Sequence, residues 1–228
     1  MSRKAFQRLT LDDRRRSLME ATLTCVARDG LQGATVRRIT EEAGVTLGLV
    51  RHYFGSKDEL IRSAYAYLIG QLTSQASESS KQSEGAPEMQ LALFLRANMT
   101  QPNLSERNVS LWATFIGRVR SDSTFAEIHR EGYREFLTVL ETLIEPVLAA
   151  HGLPHGAAAC KRHAIALNGL IDGLWMEGSL NSGLYSQAML PDLVIEASER
   201  LLALPPGVLS QAPTPLEEQR LTSCAMPE

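Results

Sequence analysis

Ala34–Leu60 reads ATVRRITEEAGVTLGLVRHYFGSKDEL, and this stretch decides the fold. Thr35 is a residue type that caps helix starts. Val36, Ile39 and Ala43 recur at the spacing of one helix face. Gly44 falls where a helix end calls for backbone at positive φ. Val45 can plug the corner, and Thr46 is a second candidate N-cap. Leu47 to Phe54 then predicts a short helix with Val50 and Phe54 turned inward. Helix, tight glycine turn, helix is the layout of a DNA reader. Periodicity alone fits equally well two short amphipathic helices of an ordinary all-α domain.

The outward residues of the second helix suit a duplex. Gly48 has no side chain, so backbone there can come close to a groove or a phosphate. Leu49, Arg51, His52 and Tyr53 project away from the Val50/Phe54 face. Arg51 can offer a fork to guanine O6 and N7. His52, Tyr53 and Lys57 suit phosphate oxygens, and Arg37 can reach the groove or the backbone beside it. The expected DNA-contacting set is Thr35, Arg37, Thr46, Leu47, Gly48, Leu49, Arg51, His52, Tyr53 and Lys57.

EEAGVTLGLVRHYFGSKDEL (residues 41–60) closely resembles the DNA-binding signature of the TetR family of bacterial transcription regulators. The resemblance implies an N-terminal three-helix helix-turn-helix head on a larger C-terminal helical ligand-binding and dimerisation body. The family usually carries tyrosine at the position of Arg51, where it packs on the DNA backbone or a thymine methyl. Arginine here implies that a guanine is read instead.

Charge is divided along the chain. Residues 1–62 hold 12 Lys and Arg against 8 Asp and Glu, a net of +4, whereas the whole chain carries −3. A basic head on an acidic body orients the molecule toward phosphate. Hydrophobic residues make up 44% of the 228, enough for a buried core. No apolar run reaches the ~18 residues of a spanning helix, and the N-terminus lacks the apolar core of a secretory signal. Cytoplasm is the expected location, with no membrane partner. Cys25, Cys160 and Cys224 are scattered and odd in number, which points to reduced thiols.

The remaining pattern is helical throughout, so the fold class is all-α. The first ten residues read as a basic arm. Thr10 can cap a helix over residues 11–29 that buries Leu18, Ala21, Thr22, Cys25 and Val26 and ends at Gly30. Ser56 caps a helix from Lys57 to about Ser77 with Leu60, Ile61, Ala64, Tyr65, Leu68 and Leu72 inside. Residues 74–88 read as a polar loop or frayed helix end. Helices are then expected over 89–99, 106–120, 123–150 (kinked or broken at Pro146) and 157–180, with Gly169, Gly173 and Gly178 allowing close packing. A last helix starts at Pro191. Five of the ten prolines fall after residue 204, which reads as a disordered tail. The expected domains are 1–56 (DNA binding), 57–204 (effector binding and dimerisation) and 205–228 (tail).

One helix-turn-helix makes few base contacts, so reading DNA calls for two heads on a two-fold axis and a palindromic operator. The two long C-terminal helices, 125–150 and 157–180, are the expected homodimer interface, because AIALNGLIDGLWM is apolar on most faces. Trp112, Phe115, Tyr133, Asp172 and Trp175 form a candidate effector site. An aromatic box with one carboxylate suits a quaternary ammonium, and the bland reading of each ring is plain core. SLWATFIGRVRSDSTFAEIHREGYREF (110–136) and LNGLIDGLWMEGSL (167–180) are similar to the choline-sensing BetI branch of the same family. That similarity implies a repressor released by choline or a related cation. A different small hydrophobic effector, or none, is the alternative.

His151, His155, Cys160 and His163 invite a metal reading, but Gly152, Pro154 and Gly156 place the first pair in a turn. No H-E-x-x-H, G-x-S-x-G or phosphate loop is present. Catalytic residues, metal ligands and cofactors are not expected.

Overall fold

Thr10 starts the first helix with a reciprocal cap. Its hydroxyl accepts the Asp13 N–H at 3.1 Å, and the Asp13 carboxylate accepts the Thr10 N–H at 3.0 Å. The two bonds satisfy donors that a helix start leaves open. In the computed structural model, which describes residues 10–81, 85–180 and 184–210, this helix is α1, Leu11–Gly33. It buries the five residues expected, and Leu23 besides. Gly30 breaks it as anticipated, at φ 70°, but a further turn follows before Ala34.

Helix α2 spans Val36–Ala43, with the Thr35 hydroxyl accepting the Arg38 N–H at 3.3 Å. Gly44 sits at φ 64°, ψ 34°, a conformation in which a Cβ would be strained. The corner closes through Val45 N–H onto the Thr40 carbonyl at 2.9 Å. Helix α3 is Gly48–Phe54 and starts one residue later than expected. Thr46 is not its cap. Leu47 already has helical dihedrals, and no side chain caps the helix start. The first turn closes instead on the Thr46 backbone carbonyl, which accepts the Leu49 N–H at 3.1 Å.

Helix α4 is Lys57–Lys81, opened by the Ser56 hydroxyl, which accepts the Glu59 N–H at 3.1 Å. Of the polar stretch expected as a loop or frayed helix end, residues 74–81 form its last two turns. Ser77, Ser79 and Ser80 donate their hydroxyls to carbonyls of the preceding turn. Small hydroxyls can thus be satisfied by the helix itself, while Ala76 and Ser80 are buried at i, i+4. Helices α5 (Pro87–Asn98), α6 (Glu106–Val119), α7 (Ser123–Ala150), α8 (Ala157–Leu180) and α9 (Leu190–Leu202) follow, with one 3-10 turn at Gln187–Met189. No strand occurs among the described residues. The chain is all-α.

The helices form two compact units. The first is Met1–Ile69 with Ser110–Arg130, so it includes the front of α4 as well as α1 to α3. Its core holds Leu18, Ile39, Val50, Phe54, Leu60 and an aromatic group in which Tyr65 stacks on Phe115 at 4.8 Å. Tyr65 and His129 share a hydrogen bond of 2.9 Å. Burial pushes the Tyr65 phenol up and the His129 imidazole down, so both favour their neutral forms.

The second unit is Gly70–Val109 with Glu131–Glu228. In it α5 buries almost every face, while α7 contributes Leu140, Ile144, Val147 and Leu148. Pro146 does not interrupt α7. Thr142, whose carbonyl Pro146 cannot serve, lies with it on the exposed side, where solvent can. Of the three α8 glycines only Gly178 is closely packed. A Cβ there would meet Leu190 Cδ1 at 2.7 Å, whereas Gly169 and Gly173 face open space. Gly178→Ala is therefore expected to destabilise the chain by about 1–3 kcal/mol. Gly173→Ala should be neutral or slightly stabilising through helix propensity. Urea titration of the two variants checks the contrast.

Residues 205–210 do not begin a disordered tail. The Glu199 carboxylate accepts N–H bonds from Gly207, Leu209 and Ser210 at 2.9, 2.7 and 3.2 Å. This clasp folds the segment back and buries Leu209 completely. The prolines disguised it, because the bonds use backbone donors of the residues beside them. The basic arm, residues 1–9, and the rest of the tail, 211–228, lie outside the described residues.

Candidate nucleic-acid interface

The second short helix presents the face expected of it. Val50 and Phe54 point inward, 3% and 7% exposed. Arg51 and His52 are exposed, and Leu49 and Tyr53 are half-buried at the flanks. Thr46, Leu47 and Gly48 stand exposed at its start, and nothing lies within 4 Å of a Cβ built on Gly48. Thr35 and Arg37 are exposed on α2.

The cations differ in freedom. No ion pair holds Arg51 among the described residues. Arg37 is held along its own helix by Glu41 at 2.8 Å, with both side chains largely exposed. Such a surface pair contributes about 0–1 kcal/mol, so a phosphate can displace Glu41 at little cost. Lys57 is half-buried, its ammonium 3.5 Å from the Leu31 carbonyl. Of the basic side chains proposed for DNA, it is the least available.

The candidate effector residues fall in both units. Phe115 is fully buried in the first, stacked with Tyr65, and Trp112 is half-buried on the same helix. In the second unit, the Tyr133 hydroxyl donates to Asp172 Oδ2 at 2.9 Å and Asn168 Nδ2 donates to the same oxygen at 3.3 Å. Burial raises the Asp172 carboxyl above its usual range, and these two bonds only partly oppose the shift. Trp175 is buried, with its Nε1–H donated to the Asn98 carbonyl at 2.9 Å. The structure thus joins Tyr133 to Asp172 directly. Of the residues weighed for metal binding, His151 pairs with Glu88 at 3.0 Å, and the Cys160 thiol donates to the His155 carbonyl.

Residues 18–64 match the family described as bacterial regulatory proteins of the tetR type, and residues 87–203 match that described as the BetI-type transcriptional repressor, C-terminal. The chain belongs to the TetR family. It is a BetI-type transcriptional regulator with a helix-turn-helix for DNA. Over 190 residues it is 27% identical to the HTH-type transcriptional regulator BetI of Burkholderia thailandensis, covering 83% of this chain and 94% of that protein. A candidate transcriptional regulator of known structure from Pseudomonas aeruginosa is 30% identical, with a TM-score of 0.74 over 92% of this chain and 98% of the other. FadR of Bacillus subtilis, solved with stearoyl-CoA, shares the fold alone, at 19% identity and a TM-score of 0.66 over 82% and 97% of the two chains.

This TetR-family head contains a contact of α3 that the sequence did not reveal. Arg15 on α1 donates Nη1 to the Tyr53 carbonyl at 3.1 Å and lies over the Phe54 ring at 4.9 Å. A cation at the C-terminal end of α3 satisfies a carbonyl the short helix leaves open and suits its dipole. Arg15 thus ties α1 to the C-terminal end of α3. Its partner lies 38 residues away, and no local pattern signals that pairing.

Proposed function

We propose that this regulator is a repressor that binds a palindromic operator as a homodimer and is released by a small cationic effector. The observation that supports it most is α3. Its inner face is fixed by Val50, Phe54 and Arg15, and its outer face carries Arg51 and His52. The proposed DNA contacts are the α3 residues, Thr46 and Leu47 before them, Thr35 and Arg37 on α2, and Lys57. Anisotropy titration with the DNA upstream of the gene tests this reading. Tight, salt-dependent binding is expected, and equal affinity for scrambled DNA would overturn it.

Exposed apolar side chains support a dimer face on α8 and α9. Ile165 and Met176 on α8 are 53% and 47% exposed, and Leu193 and Leu201 on α9 are 43% and 41%. The outer positions of α7 include Glu131, Arg134, Glu135 and Glu145. α8 and α9 carry exposed charges too, but α7 exposes no large apolar side chain among the described residues, and that contrast moves the proposed pairing from α7 and α8 to α8 and α9. Ile165→Asp should yield a monomer in sedimentation and weaken operator binding. A dimer of unchanged strength would exclude this face.

For the effector we retain the quaternary ammonium, with Tyr133, Asp172 and Trp175 of the second unit as its proposed contacts; Trp112 and Phe115 belong to the first unit, where Phe115 is wholly buried against Tyr65. A nearby cation stabilises the charged form of a half-buried carboxylate, and an aromatic face beside it attracts a quaternary ammonium. Without ligand, Asp172 holds its proton to a higher pH than in the unfolded chain. Its contribution to stability is therefore present at acid pH and falls as pH rises through the folded pKa. A cation favours the ionised form, so choline should bind more weakly as pH falls through that pKa, with proton uptake on its release. Calorimetry in two buffers measures both. Asp172→Asn should abolish the pH dependence. DNA affinity unaltered by choline and betaine aldehyde would remove the cationic effector and leave the regulator intact.

A further inference from the structure

In the first unit, the end of α1, the start of α4, the end of α6 and the turn to α7 line a solvent-open pocket of about 190 Å³. Lys57, Arg62 and Arg118 line it, together with Asp58, Asp122 and Phe125. Three cations and two carboxylates thus share the lining, with Glu59 beside Arg62 just outside it. One of the carboxylates is already engaged, because Asp122 Oδ1 accepts the N–H groups of Thr124 and Phe125 at 3.0 and 3.3 Å and so caps α7.

The guanidinium groups are less well served. Asp122 Oδ2 stands 3.7 Å from Arg62 and 3.8 Å from Arg118, and Glu59 stands 3.6 Å from Arg62. These separations exceed a hydrogen bond. Arg62 Nε is buried and has no acceptor among the described residues. A buried N–H of this kind is normally satisfied, and its neglect calls for an explanation. Planar forks with spare donors match the oxygens of a phosphate or a carboxylate.

We infer that this pocket binds a small oxyanion, the phosphate or carboxylate group of a metabolite, through Arg62 and Arg118. Bound there, the anion would bridge α4 to the last turn of α6. Its charge is opposite to that of the ligand proposed for Asp172, and the two sites share no residue.

The test is thermal melting of the full chain titrated with sodium phosphate or sodium acetate, against sodium chloride at matched ionic strength. A saturable rise with phosphate or acetate, absent with chloride, is expected, and the tighter of the two identifies the group. Arg118 is 49% exposed, so Arg118→Gln should fold, as circular dichroism checks. It should weaken binding about tenfold, the order of one lost charge-assisted contact. Arg118→Lys, which keeps the charge, should fall between, and Arg51→Ala should bind as the parent does. Equal responses to chloride, undiminished binding by Arg118→Gln, or a loss confined to Arg51→Ala would each overturn the inference. The last result would place the anion on the DNA-facing helix.

Discussion

Phe54→Ala is expected to cost about 3–5 kcal/mol of stability and to abolish operator binding with it. The ring is the larger of two side chains that seat α3, and Arg15 lies over it at 4.9 Å. Truncation opens a cavity and also leaves the guanidinium without its aromatic neighbour. A seven-residue helix has no stability of its own to fall back on. Urea denaturation followed by circular dichroism measures the first loss, and anisotropy measures the second. His52→Ala provides the comparison. It lies on the same helix but is exposed, so its stability should change by no more than about 0.5 kcal/mol. A Phe54→Ala protein with intact stability would show that α3 is held by something other than its inner face.

Arg51→Ala is expected to weaken specific binding by about 1–3 kcal/mol and to relax the operator at one position in each half-site. Arg51 is exposed and free of any ion pair among the described residues. It need break nothing to engage a base. Arg37 must first leave Glu41, and Lys57 must leave the Leu31 carbonyl. Contacts of that second kind should act on all sequences alike, as phosphate contacts do. Selection from a randomised operator library distinguishes the two. An unchanged base preference would confine Arg51 to phosphate or solvent.

The helices and the division of α3 into an inner and an outer face were legible because their signals are local. Thr10, Thr35 and Ser56 cap where hydroxyls should, and Gly44 adopts the left-handed conformation its position requires. Val50 and Phe54 face inward as their spacing demands. Features set by distant partners were not legible. Arg15 reaches α3 from 38 residues away, and Glu199 recruits backbone donors from a proline-rich segment. Ser-rich composition concealed the end of α4, because serine hydroxyls can bond to their own helix. Three glycines in α8 looked alike in sequence, yet only Gly178 meets a neighbour closely. At the candidate effector site the spacing of Asp172 and Trp175 placed both on α8, but the Tyr133 hydrogen bond depends on how α7 and α8 pack.

The most direct test is a hydroxyl-radical footprint of the full-length protein on the intergenic DNA upstream of its gene. Two heads presenting α3 from paired copies should protect two half-sites on one face of the duplex. Their centres should lie one helical turn, about 34 Å, or a whole multiple of it apart. Arg51→Ala should weaken both patches together, so that about 10- to 100-fold more protein is needed to protect them. A single protected patch, or two patches protected at undiminished affinity without Arg51, would contradict the account.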